Sequence, residues 1–120
     1  MNILWIENHD RFAKIAVKTF LSTHTVTVIP SIAAACAALT SGAFDVVMVD
    51  YDLDDGKGDS MIAQINALRP RPGIIATSSH AFGNQSLMEA GADAVCGKTE
   101  FSSIGQVIDR LRGSNTHDNN

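Results

Sequence analysis

At 120 residues with 45% apolar side chains, the chain has the size of one domain with a substantial core, and is too short for two. Nine scattered basic residues against thirteen acids, a formal charge of −4, argue against a nucleic-acid surface. No apolar run reaches the length of a membrane span, and the N-terminus carries no signal-peptide pattern.

The two cysteines, Cys36 and Cys96, lie in apolar segments without metal-ligand spacing, so reduced core thiols of a cytoplasmic protein are expected. Residues 2–6 (NILWI) form a short apolar run and a predicted first strand, closed by Glu7–Asn8–His9–Asp10. A helix is predicted over 11–22, with Phe12, Ile15, Ala16, Thr19 and Phe20 on one face and Asp10 placed to favour its start. Residues 25–29 (TVTVI) are dense in β-branched side chains and predict a second strand. Pro30–Ser31 opens a second helix whose inner stripe is Ile32, Ala35, Cys36 and Leu39, with Gly42 expected at its C′ position.

The centre of the pattern is Val46–Val47–Met48–Val49, four consecutive apolar residues that predict a strand buried on both faces. It ends on Asp50 and enters a loop with Asp52, Asp54, Asp55, Gly56 and Gly58. A carboxylate at the carboxyl end of a buried strand stands where open α/β sheets hold their ligands. A third helix is predicted over 60–68, burying Met61, Ile62, Ile65 and Leu68. Arg69–Pro70–Arg71–Pro72–Gly73 cannot continue it. A fourth strand covers 74–77, followed by Ser78–Ser79–His80. A short helix over 84–90 closes at Gly91, and a fifth strand over 94–96 ends before Lys98. A last helix over 102–111 turns Ile104, Val107, Ile108 and Leu111 inward. The polar segment 113–120 is expected to be a disordered tail behind a domain of residues 1–112.

Five strands alternating with five helices predict a parallel sheet covered on both faces by right-handed crossovers. A flavodoxin-like (βα)5 doubly wound fold with strand order 2-1-3-4-5 suits this length. That order gathers Glu7, Asp50, Ser78 and Lys98 at one edge of the sheet.

This set resembles the receiver domain of two-component response regulators over about residues 2–111. The family has an acidic pair after strand one, a phosphoacceptor Asp ending strand three, a Ser or Thr ending strand four and a Lys after strand five. Glu7–Asn8 stands at the acidic pair and Asp50 at the acceptor. Gly58, eight residues on, stands at the loop glycine, and Lys98 lies the family's seven residues after Gly91. The resemblance implies nucleophilic attack by Asp50 on a phosphoryl group, giving an aspartyl phosphate. It implies Mg²⁺ held by Glu7, Asn8, Asp50 and the Asp52 backbone carbonyl. It also implies Lys98 pairing with the phosphoryl oxygens, and Ser78 (or Thr77) as the switch hydroxyl. A histidine kinase or histidine phosphotransfer protein would be the donor, and an unidentified protein the output partner. No nucleic acid or membrane is expected, and the protein is expected to be a monomer or a phosphorylation-dependent dimer.

Several positions depart from the family. Asn8 replaces a metal-binding acid and brings no formal charge, so weaker metal affinity is expected. Thr99 stands where a cis proline usually follows the lysine, and Val95 where many receivers carry a switching aromatic. The interval from Ser78 to Gly91 is two residues short, which predicts a truncated fourth helix, and Thr77 fits the spacing better. Two other functions are compatible with these residues. One is a phosphorylation-independent pseudo-receiver that binds protein. The other is a haloacid-dehalogenase-like phosphatase using Asp50 and Asp52.

Overall fold

The computed structural model describes the backbone of residues 1–118 and the side chains of residues 1–112. Five strands, β1 (Asn2–Ile6), β2 (Thr25–Ile29), β3 (Val46–Val49), β4 (Gly73–Ala76) and β5 (Ala94–Val95), form one parallel sheet in the order 2-1-3-4-5. The helices are α1 (Asp10–Phe20), α2 (Ile32–Ser41), α3 (Ile62–Asn66), α4 (Ala81–Ala90) and α5 (Ile104–Asp118). The flavodoxin-like architecture expected from the alternation is therefore the observed one.

Strand periodicity sorts the core into two layers. Leu4, Ile6, Val47, Val49, Ile74 and Ala76 face α2, α3 and α4, meeting Ala35, Leu39, Ile62, Ile65 and Leu87. Ile3, Trp5, Val46, Met48 and Ile75 face α1 and α5, meeting Ala13, Ala16, Ile104, Val107 and Ile108. Every side chain of β3 is buried, which explains its unbroken apolar run. Trp5 stacks on Phe101 with centroids 4.9 Å apart, and the Phe12 ring meets both edge-on.

Several local expectations are corrected. The buried stripe of α1 is Ala13 and Ala16, while Ile15 and Phe20 are exposed, because the small residues let the helix lie close to the sheet. Of the two roles expected for Asp10, the cap is absent, while its charge does lie in the first turn of α1, where it also pairs with Lys14. Gly42 closes α2 in an extended conformation rather than a left-handed one. A hairpin (Asp52–Leu53 with Gly56–Lys57) occupies the acidic loop, and a 3₁₀ turn at Gly58–Met61 precedes a shorter α3. A second 3₁₀ segment, Lys98–Ser103, leads into α5. The fourth helix begins three residues earlier than expected, at Ala81, and runs for ten residues to Ala90. Backbone helix continues past the expected end near Leu111 to Asp118, since no proline stops it. Residues 119–120 of the expected tail lie outside the described residues.

Candidate functional site

The carboxyl ends of β1, β3 and β4 meet at one edge, and ladder hydrogen bonds continue one residue beyond each strand. Glu7 N–H donates to Ile29, Asp50 N–H to Ile6 and Thr77 N–H to Val49, at 2.8, 3.0 and 3.0 Å. Alternation therefore carries on, putting Glu7, Asp50 and Thr77 on the α1/α5 side of the sheet and Ser78 on the α2–α4 side.

Lys98, the first residue of the 3₁₀ segment after β5, reaches back across the edge. Its Nζ lies 3.1 Å from Asp50 Oδ2 and 3.0 Å from Glu7 Oε2. Glu7 Oε1 stands 2.9 Å from the same nitrogen without hydrogen-bond alignment. The ammonium also lies 5.6 Å from the Phe12 ring centroid, a cation–π distance. The three side chains are 10% (Lys98), 0% (Glu7) and 5% (Asp50) exposed. One lysine thus serves two buried carboxyl groups in a poorly hydrated place. Burial pushes the Glu7 carboxyl above its ordinary value, and the Asp50 charge adds to this. Lys98 and the His9 N–H, 3.1 Å from Oε2, oppose the rise.

Asp50 Oδ1 accepts the Tyr51 N–H at 2.8 Å. Behind it, Gly58 N–H donates to the Tyr51 carbonyl at 2.6 Å, and a Cβ on Gly58 would stand 2.0 Å from the Asp50 carbonyl oxygen. Only glycine allows that approach. Asn8 donates through Nδ2 to Asp54 Oδ1 at 3.3 Å, while its Oδ1 is buried without a partner. The Asp52 side chain turns outward to Lys57, whose ammonium holds its carboxyl below the usual range. Among the described residues no three His, Cys, Asp or Glu side chains converge as metal ligands.

The two candidate hydroxyls differ sharply. Thr77 is fully buried, and its Oγ1 has no partner. Ser78 Oγ accepts the His80 N–H at 3.1 Å, and the Ser78 main chain is gripped by Asn84. His80 itself is exposed at the N-cap of α4. Thr99 follows Lys98 through a trans bond, and Val95 is 41% exposed. Sequence reasoning placed Glu7, Asp50 and Lys98 together, and they are together. It missed Asn84 and Gly83, whose roles depend on how α4 lands against the sheet edge.

No family model and no curated protein matches this sequence. Solved structures do match, many of them response regulators or their receiver domains. The chain is similar to a CheY-like receiver domain protein from Methanospirillum hungatei, with TM-score 0.81, 17% identity and 97% of each chain covered. It is similar to DrrB, an OmpR/PhoB homologue from Thermotoga maritima, with TM-score 0.81 and 19% identity over 95% of this chain. There it spans 53% of the other chain, about half its length. A Burkholderia pseudomallei response regulator, solved with a phosphorylated aspartic acid, a calcium ion and citrate, matches with TM-score 0.77 and 20% identity. That match covers 99% of this chain and 75% of the other. The fold is that of receiver domains.

Proposed function

We propose that this domain is a signalling receiver that accepts a phosphoryl group on Asp50. The observation that carries the reading is the Lys98 ammonium held within 3.1 Å of Asp50 and 3.0 Å of Glu7, across sequence separations of 48 and 91 residues. In the reaction a carboxylate oxygen of Asp50 forms a bond to phosphorus as the bond to the donor breaks. With a phosphohistidine on a kinase or phosphotransfer protein as donor, the leaving group is the imidazole, which takes up a proton. Lys98 is placed to offset charge on the transferred oxygens, which become the strongest acceptors near it. The chemistry is a stoichiometric self-modification rather than turnover, and the readout is a changed surface offered to a partner protein.

Thr77, rather than Ser78, is the switch hydroxyl in this reading. It shares a face with Glu7 and Asp50, and its hydroxyl is buried without a partner. Ser78 is already engaged and lies on the opposite face. Thr77→Ala should uncouple phosphorylation from the conformational response, whereas Ser78→Ala should leave the coupling in place.

The residues fit a divalent cation of the Mg²⁺ type in one respect: the orphaned, buried Asn8 Oδ1 is a neutral oxygen ligand in waiting. Asp50, Asn8 and the Asp52 carbonyl would hold the ion, with Glu7 beside them. When bound, it supplies positive charge against the incoming phosphoryl group. An amide in place of an acid predicts weak binding.

Incubation with acetyl phosphate and Mg²⁺ should add one phosphate to the protein, and Asp50→Asn should abolish it. Equal labelling of that variant refutes the assignment. Asn8, tied to Asp54 rather than carrying a charge of its own, favours a second reading as a phosphorylation-independent binding module. That reading requires partner binding indifferent to Asp50→Asn and no response of Trp5 fluorescence to millimolar Mg²⁺. The fold disfavours a haloacid-dehalogenase-like reading, since Asp50 follows the third strand of the chain rather than the first.

A further inference from the structure

Between the site and α4 lies an amide clamp with no part in the chemistry above. Asn84 Oδ1 accepts the Ser78 N–H at 2.8 Å, and Asn84 Nδ2 donates to the Ser78 carbonyl at 3.0 Å. One side chain thus satisfies both sides of one residue's backbone, as a neighbouring strand would. The same carbonyl takes the Lys98 N–H at 3.3 Å, so the clamp also touches the segment that delivers the ammonium. Ser78 follows Thr77 directly, so a shift of the Thr77 main chain toward a phosphorylated Asp50 would pull on the Ser78 backbone that Asn84 holds.

The helix is seated closely at this point. A Cβ on Gly83 would stand 2.6 Å from Ser78 Oγ and 2.8 Å from Tyr51 Cβ. The rest of the first turn is lightly held. Phe82 is 69% exposed and forms a T-shaped pair with Tyr51, with centroids 5.8 Å apart.

We infer that Asn84 is a positioning residue, a latch that binds the loop after β4 to the first turn of α4 and opposes the phosphoryl-accepting state. Opening the latch frees residues 81–84, including the exposed Phe82, and thereby couples the site to that helix. The inference rests on the receiver reading, and its test separates the two.

The probe is beryllofluoride with Mg²⁺, a phosphoryl mimic, titrated against Trp5 fluorescence. Amide hydrogen exchange of residues 81–84 is followed in parallel. Asn84→Ala should bind the probe about tenfold more tightly, the scale of one or two net hydrogen bonds. Before any addition, its residues 81–84 should exchange as fast as those of the loaded wild type. Asn84→Asp keeps the acceptor for the Ser78 N–H but sets an anionic oxygen against the Ser78 carbonyl, so it should move the same way. Gly83→Ala, which must push the turn off Ser78, should do so independently. Gln85→Ala, on the same turn and engaged only with Glu89, should match the wild type. Unchanged affinity and unchanged exchange at 81–84 in folded Asn84→Ala and Asn84→Asp would overturn the latch. Should the alanine variant not fold, the aspartate variant carries the comparison. Failure of wild-type labelling at Asp50 sinks the receiver reading instead, and the exchange data then still decide whether Asn84 holds the turn.

Discussion

Replacing Lys98 by Met tests the physical core of the site, because the unbranched side chain is shortened by only one atom and loses its charge. At about 3 Å and an effective dielectric constant of about 20, each ion pair with Glu7 and Asp50 contributes roughly 5 kcal/mol of Coulomb attraction. The desolvation of three buried charges offsets most of this, so the net figure is smaller. Removing the cation nevertheless strands two carboxylates that are 0% and 5% exposed, and breaking such a buried pair typically costs about 3–5 kcal/mol. The sign with pH follows from Glu7. Its folded pKa lies above the ordinary 4.5, so the folded state binds this proton more tightly than the unfolded state. Stability is favoured below 4.5 and lost as pH rises through the folded value. Lys98 restrains that rise, so Lys98→Met should push the folded value higher and widen the window of loss. Urea unfolding at pH 7 and pH 5 should show a deficit of about 3 kcal/mol or more at pH 7, shrinking at pH 5. A deficit below about 1 kcal/mol and equal at both pH values would refute the buried-charge argument.

Other substitutions probe the elements that deliver these groups. Gly58→Ala places a Cβ 2.0 Å from the Asp50 carbonyl oxygen. It should cost about 3 kcal/mol in denaturant unfolding and lower labelling of Asp50. Asp55 accepts the Ile32 and Ala33 N–H groups at 2.7 and 3.0 Å, and these bonds hold its carboxyl below the usual range. Its stabilisation is therefore complete above the ordinary 3.8 and lost as pH falls through the folded value; thermal melts of Asp55→Ala should lose that part of the acid sensitivity. Phe101→Ala removes the buried ring stacked on Trp5 and should cost about 3–5 kcal/mol, with Trp5 emission shifting to the red.

Much of the architecture was legible before any coordinates. The β3 run announced a fully buried strand, and the strand–helix alternation led to the observed sheet order. Local detail was less so. The α1 pattern offered Ile15 and Phe20 as inner residues, but the helix turned its small side chains to the sheet. Periodicity cannot distinguish a stripe of large residues from an adjacent stripe of alanines that permits closer contact. The hairpin at Asp52–Lys57 and the 3₁₀ lead into α5 likewise escaped, since two-residue pairings and single turns leave too little pattern to read.

For the site, residue type and order along the chain were sufficient to bring Glu7, Asp50 and Lys98 into one hypothesis. A buried strand ending in a carboxylate, repeated in a sheet of known order, leaves few places for those groups to go. For the two adjacent hydroxyls the local sequence pattern favoured Ser78, and the preference for Thr77 in the proposed reading came from the tertiary structure. Alternation across the sheet sends neighbours to opposite faces, and only the strand ladder decides which face each one takes. The Asn84 clamp was invisible for a related reason. It depends on where α4 comes to rest against a loop six residues earlier in the chain, a packing outcome with no signature in composition or spacing.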